Sequence, residues 1–90
     1  MADEAALRIE HLLRLREELF EEMETAEREL AGLRTRVERL ESDQRLGGPA
    51  TDEYAQLKGH ELPRTEARLV DAYNSLIKIE TKILNTRRGA

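Results

Sequence analysis

Residues 9–44 read IEHLLRLREELFEEMETAERELAGLRTRVERLESDQ. Within this stretch Ile9, Leu12, Arg16, Leu19, Met23, Ala26, Leu30, Leu33, Val37, Leu40 and Gln44 recur at alternating intervals of three and four, without a slip. Residues so spaced fall on one stripe of an α-helix, and an apolar stripe of this length must be covered by another helix. The stretch therefore predicts a long helix with a helical neighbour. It arranges no group for chemistry.

Outward from this seam, the chain from Ala5 to Leu46 has no proline and only Gly32 as glycine, so the first helix is expected over about residues 5–46. Asp3 and Glu4 place negative charge where the helix dipole favours it. Gly47-Gly48-Pro49 is a stop signal: glycine suits the C′ position of a helix, and proline cannot continue one. After a turn at 47–51, Thr51 or Asp52 can cap a second helix over about 52–88. Gly59-His60-Glu61-Leu62-Pro63 interrupts that helix, because Pro63 lacks an amide donor and its ring crowds the carbonyl of Gly59. A kink near 59–63 is expected, with a break and restart as the alternative. Beyond it the stripe is read as Leu62, Glu66, Leu69, Tyr73, Leu76, Glu80, Ile83 and Arg87, widened by Val70, Ile77 and Leu84. A short loop between two long helices makes them antiparallel neighbours. The fold class expected is all-α: a single coiled-coil-like helical hairpin spanning residues 1–90.

Antiparallel register sets the narrow stripe of Leu33, Val37 and Leu40 against Tyr54, Leu57 and Leu62. At the open end both stripes broaden. The first helix brings Ile9, Leu12, Leu13, Leu15, Leu19, Phe20 and Met23, and the second brings Val70, Tyr73, Leu76, Ile77, Ile83 and Leu84. One neighbouring helix cannot cover both, and a large uncovered apolar patch marks an association surface. These residues are read as an oligomer interface through which open ends join, most simply as a dimer forming a four-helix bundle. A tetramer, or another helical protein as partner, is the alternative. Arg16 and Glu80 lie at inward positions about one turn apart and are read either as a pair, within or between chains, that sets register, or as two side chains that snorkel to the edge.

The remaining composition limits function. There is no cysteine, hence no disulfide, thiolate nucleophile or thiolate metal site. No stretch approaches the length of a membrane span, and Met1-Ala2-Asp3-Glu4 lacks the order of a signal peptide; a cytoplasmic protein is expected. His11 and His60 have no Glu three residues before them, as helical di-iron sites require, and no His-Glu-x-x-His occurs. Glu17, Glu18, Glu21, Glu22 and Glu24 lack the loop and glycine of a calcium site and read as a solvated face. No cofactor, metal ion or catalysis is expected. Lys78, Lys82, Arg87 and Arg88 form a basic C-terminal end. They are the candidate contact for an anion, and the basis of a second reading as a small regulator touching nucleic acid. The first reading is a structural, scaffold or adaptor module acting through protein–protein contacts.

Overall fold

The computed structural model describes residues 3–89, all helical apart from Asp3, the turn and Gly89. Helix α1 runs Glu4–Arg45, α2 runs Asp52–Gln56, and α3 runs Leu62–Arg88; a π-helical turn, Leu57–Glu61, joins α2 to α3 without a gap. No strand occurs among the described residues, and none of the helices is long and apolar enough to cross a membrane.

Each end of α1 is closed by local chemistry. At the start, the Asp3 carboxylate accepts the Ala5 amide at 3.1 Å, satisfying a donor that has no partner within the helix. At the other end the Gly48 amide donates to the Asp43 carbonyl at 2.8 Å and the Gly47 amide to the Gln44 carbonyl at 3.1 Å. This pair of bonds is the Schellman arrangement, which requires a left-handed residue at C′; Gly47 supplies it with φ of +96°. Gly48 is required for a different reason: a Cβ there would lie 2.8 Å from the Asp43 carbonyl oxygen. Thr51, extended at φ −110° and ψ 153°, then caps α2, its hydroxyl accepting the Tyr54 amide at 3.2 Å.

The chain packs as two compact units, one of residues 25–69 and one of residues 1–24 with 70–90. In the 25–69 unit, Ala26, Leu30 and Val37 of α1 and Leu57 and Thr65 across from them are buried, with Leu33, Leu40, Leu62 and Leu69 half-buried. Ion pairs flank this core: Arg36 with Glu53, Lys58 with Glu41 at 3.4 Å, and Arg68 with Glu29 at 2.8 Å. As the acid moves back along α1 from Glu41 to Glu29, its base moves forward from Lys58 to Arg68, so the two segments run antiparallel. These pairs are solvent-exposed, where an ion pair contributes roughly 0–1 kcal/mol; the apolar seam does more.

In the other unit, Leu12 and Met23 of α1 and Ala72 and Ile83 of α3 are buried, with Ile9, Leu15, Leu19, Leu76 and Ile79 half-buried. In both units the buried face of α3 differs from the stripe the sequence suggests. It follows Leu62, Thr65, Leu69, Ala72, Leu76, Ile79, Ile83 and Thr86, again at intervals of three and four. The row Leu62, Leu69, Leu76 and Ile83 is common to the expected and the observed face. Its companion row is Thr65, Ala72, Ile79 and Thr86 rather than Glu66, Tyr73, Glu80 and Arg87, all of which are exposed.

The interruption at 59–63 is a wide turn. The Leu62 amide donates to the Leu57 carbonyl, five residues back. A π turn inserts one residue into a helix, and the seam shows where: the interval from Leu57 to Leu62 is five rather than four. The wide turn absorbs the extra residue and so keeps the seam on one face on both sides of it, in the segment that also carries Gly59 and precedes Pro63.

Replacing Gly47 with alanine forces an L-residue into left-handed space, at about 1–2 kcal/mol; thermal melts are expected to show a Tm lower by several degrees. Deleting Gly59 while replacing Pro63 with alanine removes the inserted residue and the missing donor together. The seam stays in register, so circular dichroism is expected to show full helix content and an unchanged or higher Tm; loss of helix would contradict the insertion.

Candidate association face

The 1–24/70–90 unit carries the exposed large apolar side chains that share a face. Phe20 is 46% exposed, Val70 56%, Tyr73 42%, Ile77 63% and Leu84 49%. On α3 they fall in the series Val70, Tyr73, Ile77, Glu80, Leu84, Arg87, which keeps the three–four interval throughout. At about 100° per residue, this stripe lies roughly a quarter turn from the buried one. Helix α3 therefore has two adjacent heptad stripes, and the chain covers one of them.

Helix α1 contributes the matching edge. Leu13, Arg16, Glu17 and Phe20 line one surface depression, and Arg16, Glu80, Ile83, Leu84 and Arg87 line another. Arg16 is common to both, which places the Leu13–Arg16–Phe20 row of α1 beside the Glu80–Leu84–Arg87 row of α3. Leu13 and Arg16 are half-buried. Phe20 and Arg16 touch: the guanidinium carbon sits 6.0 Å from the ring centroid, a weak cation–π contact at a partly exposed site. Arg16 and Glu80 share their depression but form no ion pair within 4.0 Å in the single chain.

The thirteen residues anticipated at an interface thus divide. Leu12, Met23 and Ile83 are buried inside the chain, Ile9, Leu19 and Leu76 are half-buried on the same seam, and Leu15 is half-buried beside it. Leu13, Phe20, Val70, Tyr73, Ile77 and Leu84 make up the outer face. Leu7, 57% exposed, points elsewhere on α1 by helical angle, and Leu46, 85% exposed, lies beside the turn.

The basic residues do not gather. Lys78 and Lys82 stand one turn apart on α3, whereas Arg87 is about 180° around the helix from Lys78, on the Glu80–Leu84 stripe. His11 and His60 are exposed, His60 within the π turn. Among the described residues no three His, Asp or Glu side chains converge in a way that could hold a metal ion.

The 25–69 unit offers a shallow groove lined by Glu29, Gly32, Leu33, Arg36, Glu61, Arg64 and Thr65. Gly32 leaves it open, since a Cβ there would meet nothing within 4 Å. Two of its four charged residues are engaged, Glu29 by Arg68 and Arg36 by Glu53. Nearer the turn, Tyr54 donates its hydroxyl to Glu41 at 3.2 Å, and Lys58 donates to the Tyr54 oxygen at 2.9 Å and to Glu41 at 3.4 Å. The hydrogen bond to Tyr54, then the hydrogen bond to Glu41 and its negative charge, hold the Lys58 ammonium in its charged form and raise its pKa from 10.5. Reading the sequence for motifs misses this clip, although the Tyr54–Lys58 spacing of one helical turn signals it.

Comparison with protein-family models, curated proteins and solved structures gave no match.

A base whose pKa is raised on folding contributes stability that is complete below its unfolded value and is lost as pH rises through its folded value. The difference in Tm between the native chain and Lys58→Met is therefore expected to hold up to about pH 10.5 and to shrink above it. Parallel thermal melts across that range check this.

Proposed function

We propose that the chain is a non-enzymatic helical hairpin that self-associates through the outer face of its 1–24/70–90 unit. Two copies form a four-helix bundle there, and the assembly serves as a structural, scaffold or adaptor element through protein–protein contacts. One observation supports this above the others: α3 has two heptad stripes, and one helical neighbour accounts for only one of them.

The exposed apolar side chains set the scale of the gain from association. A Val, Leu, Ile or Phe side chain fully removed from water contributes roughly 1.5–3 kcal/mol. Phe20, Val70, Tyr73, Ile77 and Leu84 each retain about half their exposure, so each holds roughly 1 kcal/mol or more in reserve. Two copies double that to a gross gain on the order of 10 kcal/mol, comparable with the ~4–15 kcal/mol cost of association. Leu13 at the edge adds to it. Thin two-helix packing makes this gain useful, because a small chain with a narrow core is marginal alone.

Sedimentation velocity at tens of micromolar is expected to show a dimer for the native chain. Ile77→Glu places a charge in the middle of the apolar stripe and is expected to weaken dimerisation at least a hundredfold, since a buried unpaired charge costs several kcal/mol. Glu38→Gln, exposed in the other unit, is expected to change nothing. A native chain that is monomeric and fully folded at that concentration would overturn the proposal.

A further inference from the structure

Self-association through this face buries Arg16 and Glu80 along with their neighbours. Both sit inside apolar rows: Arg16 between Leu13 and Phe20 on α1, Glu80 between Ile77 and Leu84 on α3. A partner that covers those rows strips water from a guanidinium and a carboxylate together. Taking either charge out of water without an opposite charge carries a desolvation penalty that cancels much of the apolar gain.

A second copy of this chain is the partner that resolves this without further residues. Each copy brings Arg16 and Arg87 as cations and Glu17 and Glu80 as anions to the face, so the joined face carries no net charge. In a two-fold interface, where residue i of one copy meets residue j of the other, j also meets i. We infer that Arg16 of each copy pairs with Glu80 of the other, giving two symmetry-related ion pairs flanked by Leu13, Phe20, Ile77 and Leu84. The inference rests on the self-association proposed above and goes further, assigning the two residues that fix its register and its choice of partner.

Three features of the single chain support the assignment. The two side chains line the same depression yet leave each other unpaired. Arg16 is already half-buried and oriented over Phe20, so little side-chain freedom remains to be lost on pairing. The flanking spacing is identical on the two helices: Leu13–Arg16–Phe20 and Ile77–Glu80–Leu84 both run three then four. Each charge therefore has an apolar residue one turn above and one turn below, and a shift of one turn would bury each charge against an apolar group. Such polar positions in an apolar seam exclude wrong registers at some cost in stability.

Reciprocal charge reversal tests the assignment. Arg16→Glu alone sets two acids against each other across the interface, and Glu80→Arg alone sets two bases; each is expected to dimerise at least tenfold more weakly than the native chain. When the two variants are mixed in equal amounts, the introduced carboxylate of one faces the introduced guanidinium of the other. The native Glu80 of the first then faces the native Arg16 of the second, so both pairs are again of opposite charge. Native mass spectrometry is expected to show the heterodimer in clear excess over either homodimer. Rescue by mixing requires that the pair form between chains. If mixing leaves both variants weak while Arg16→Glu/Glu80→Arg in one chain restores dimers, the pair lies within a chain and the inference is overturned. If the native chain dimerises and both single variants dimerise equally well, the charges do not set register and the inference is overturned while self-association stands. A monomeric native chain would remove the reading on which both rest.

Discussion

Everything distinctive about this chain depends on which row of α3 turns toward α1. Leu62, Leu69, Leu76 and Ile83 occupy the boundary between two candidate faces. On one side lie Thr65, Ala72, Ile79 and Thr86; on the other lie Val70, Tyr73, Ile77 and Leu84. In both units the first set is directed inward. The distance between packed helices is set by the side chains at the contact, and the inward set carries small residues, as does α1 at Ala26. Choosing the small face leaves the larger apolar face outside. The outer surface is thus a by-product of the inner seam rather than a separate feature.

The π turn serves the same seam. A helix carrying one residue too many between Leu57 and Leu62 would rotate every later position by about 100° and direct a different row inward. Widening a single turn absorbs the residue and returns Leu62, Thr65 and Leu69 to the face that Leu57 began.

Much of this is legible in the sequence, and the unreadable part has a physical cause. The α1 seam can be read residue by residue because nothing interrupts its period and one row only is continuously apolar. The turn can be read from Gly47, Gly48 and Pro49, whose conformational demands leave few options. On α3 a periodic reading ranks rows by hydrophobicity and so prefers Tyr73 to Ala72, whereas packing ranks them by fit against a neighbour, and a small residue there outweighs a large one. The same preference hides Thr65, the one buried polar residue among the described residues. Pro63 reads as a kink because proline is costly in an α-helix; the five-residue step from Leu57 to Leu62 is the sign of a π turn. Of the candidate face, the membership of Phe20, Val70, Tyr73, Ile77 and Leu84 is legible. Which neighbours are withdrawn into the chain is not, since that depends on the rotation of α3.

That a second copy covers the outer face of the 1–24/70–90 unit is most directly tested by an isotope-filtered nuclear Overhauser experiment on an equal mixture of carbon-13-labelled and unlabelled chain. Intermolecular contacts are expected from the methyl groups of Ile77, Leu84 and Leu13 and from the Phe20 ring, and none from Leu30, Val37 or Leu57. Absence of intermolecular contacts at Ile77 and Leu84, or their appearance only around the 25–69 core, would contradict it.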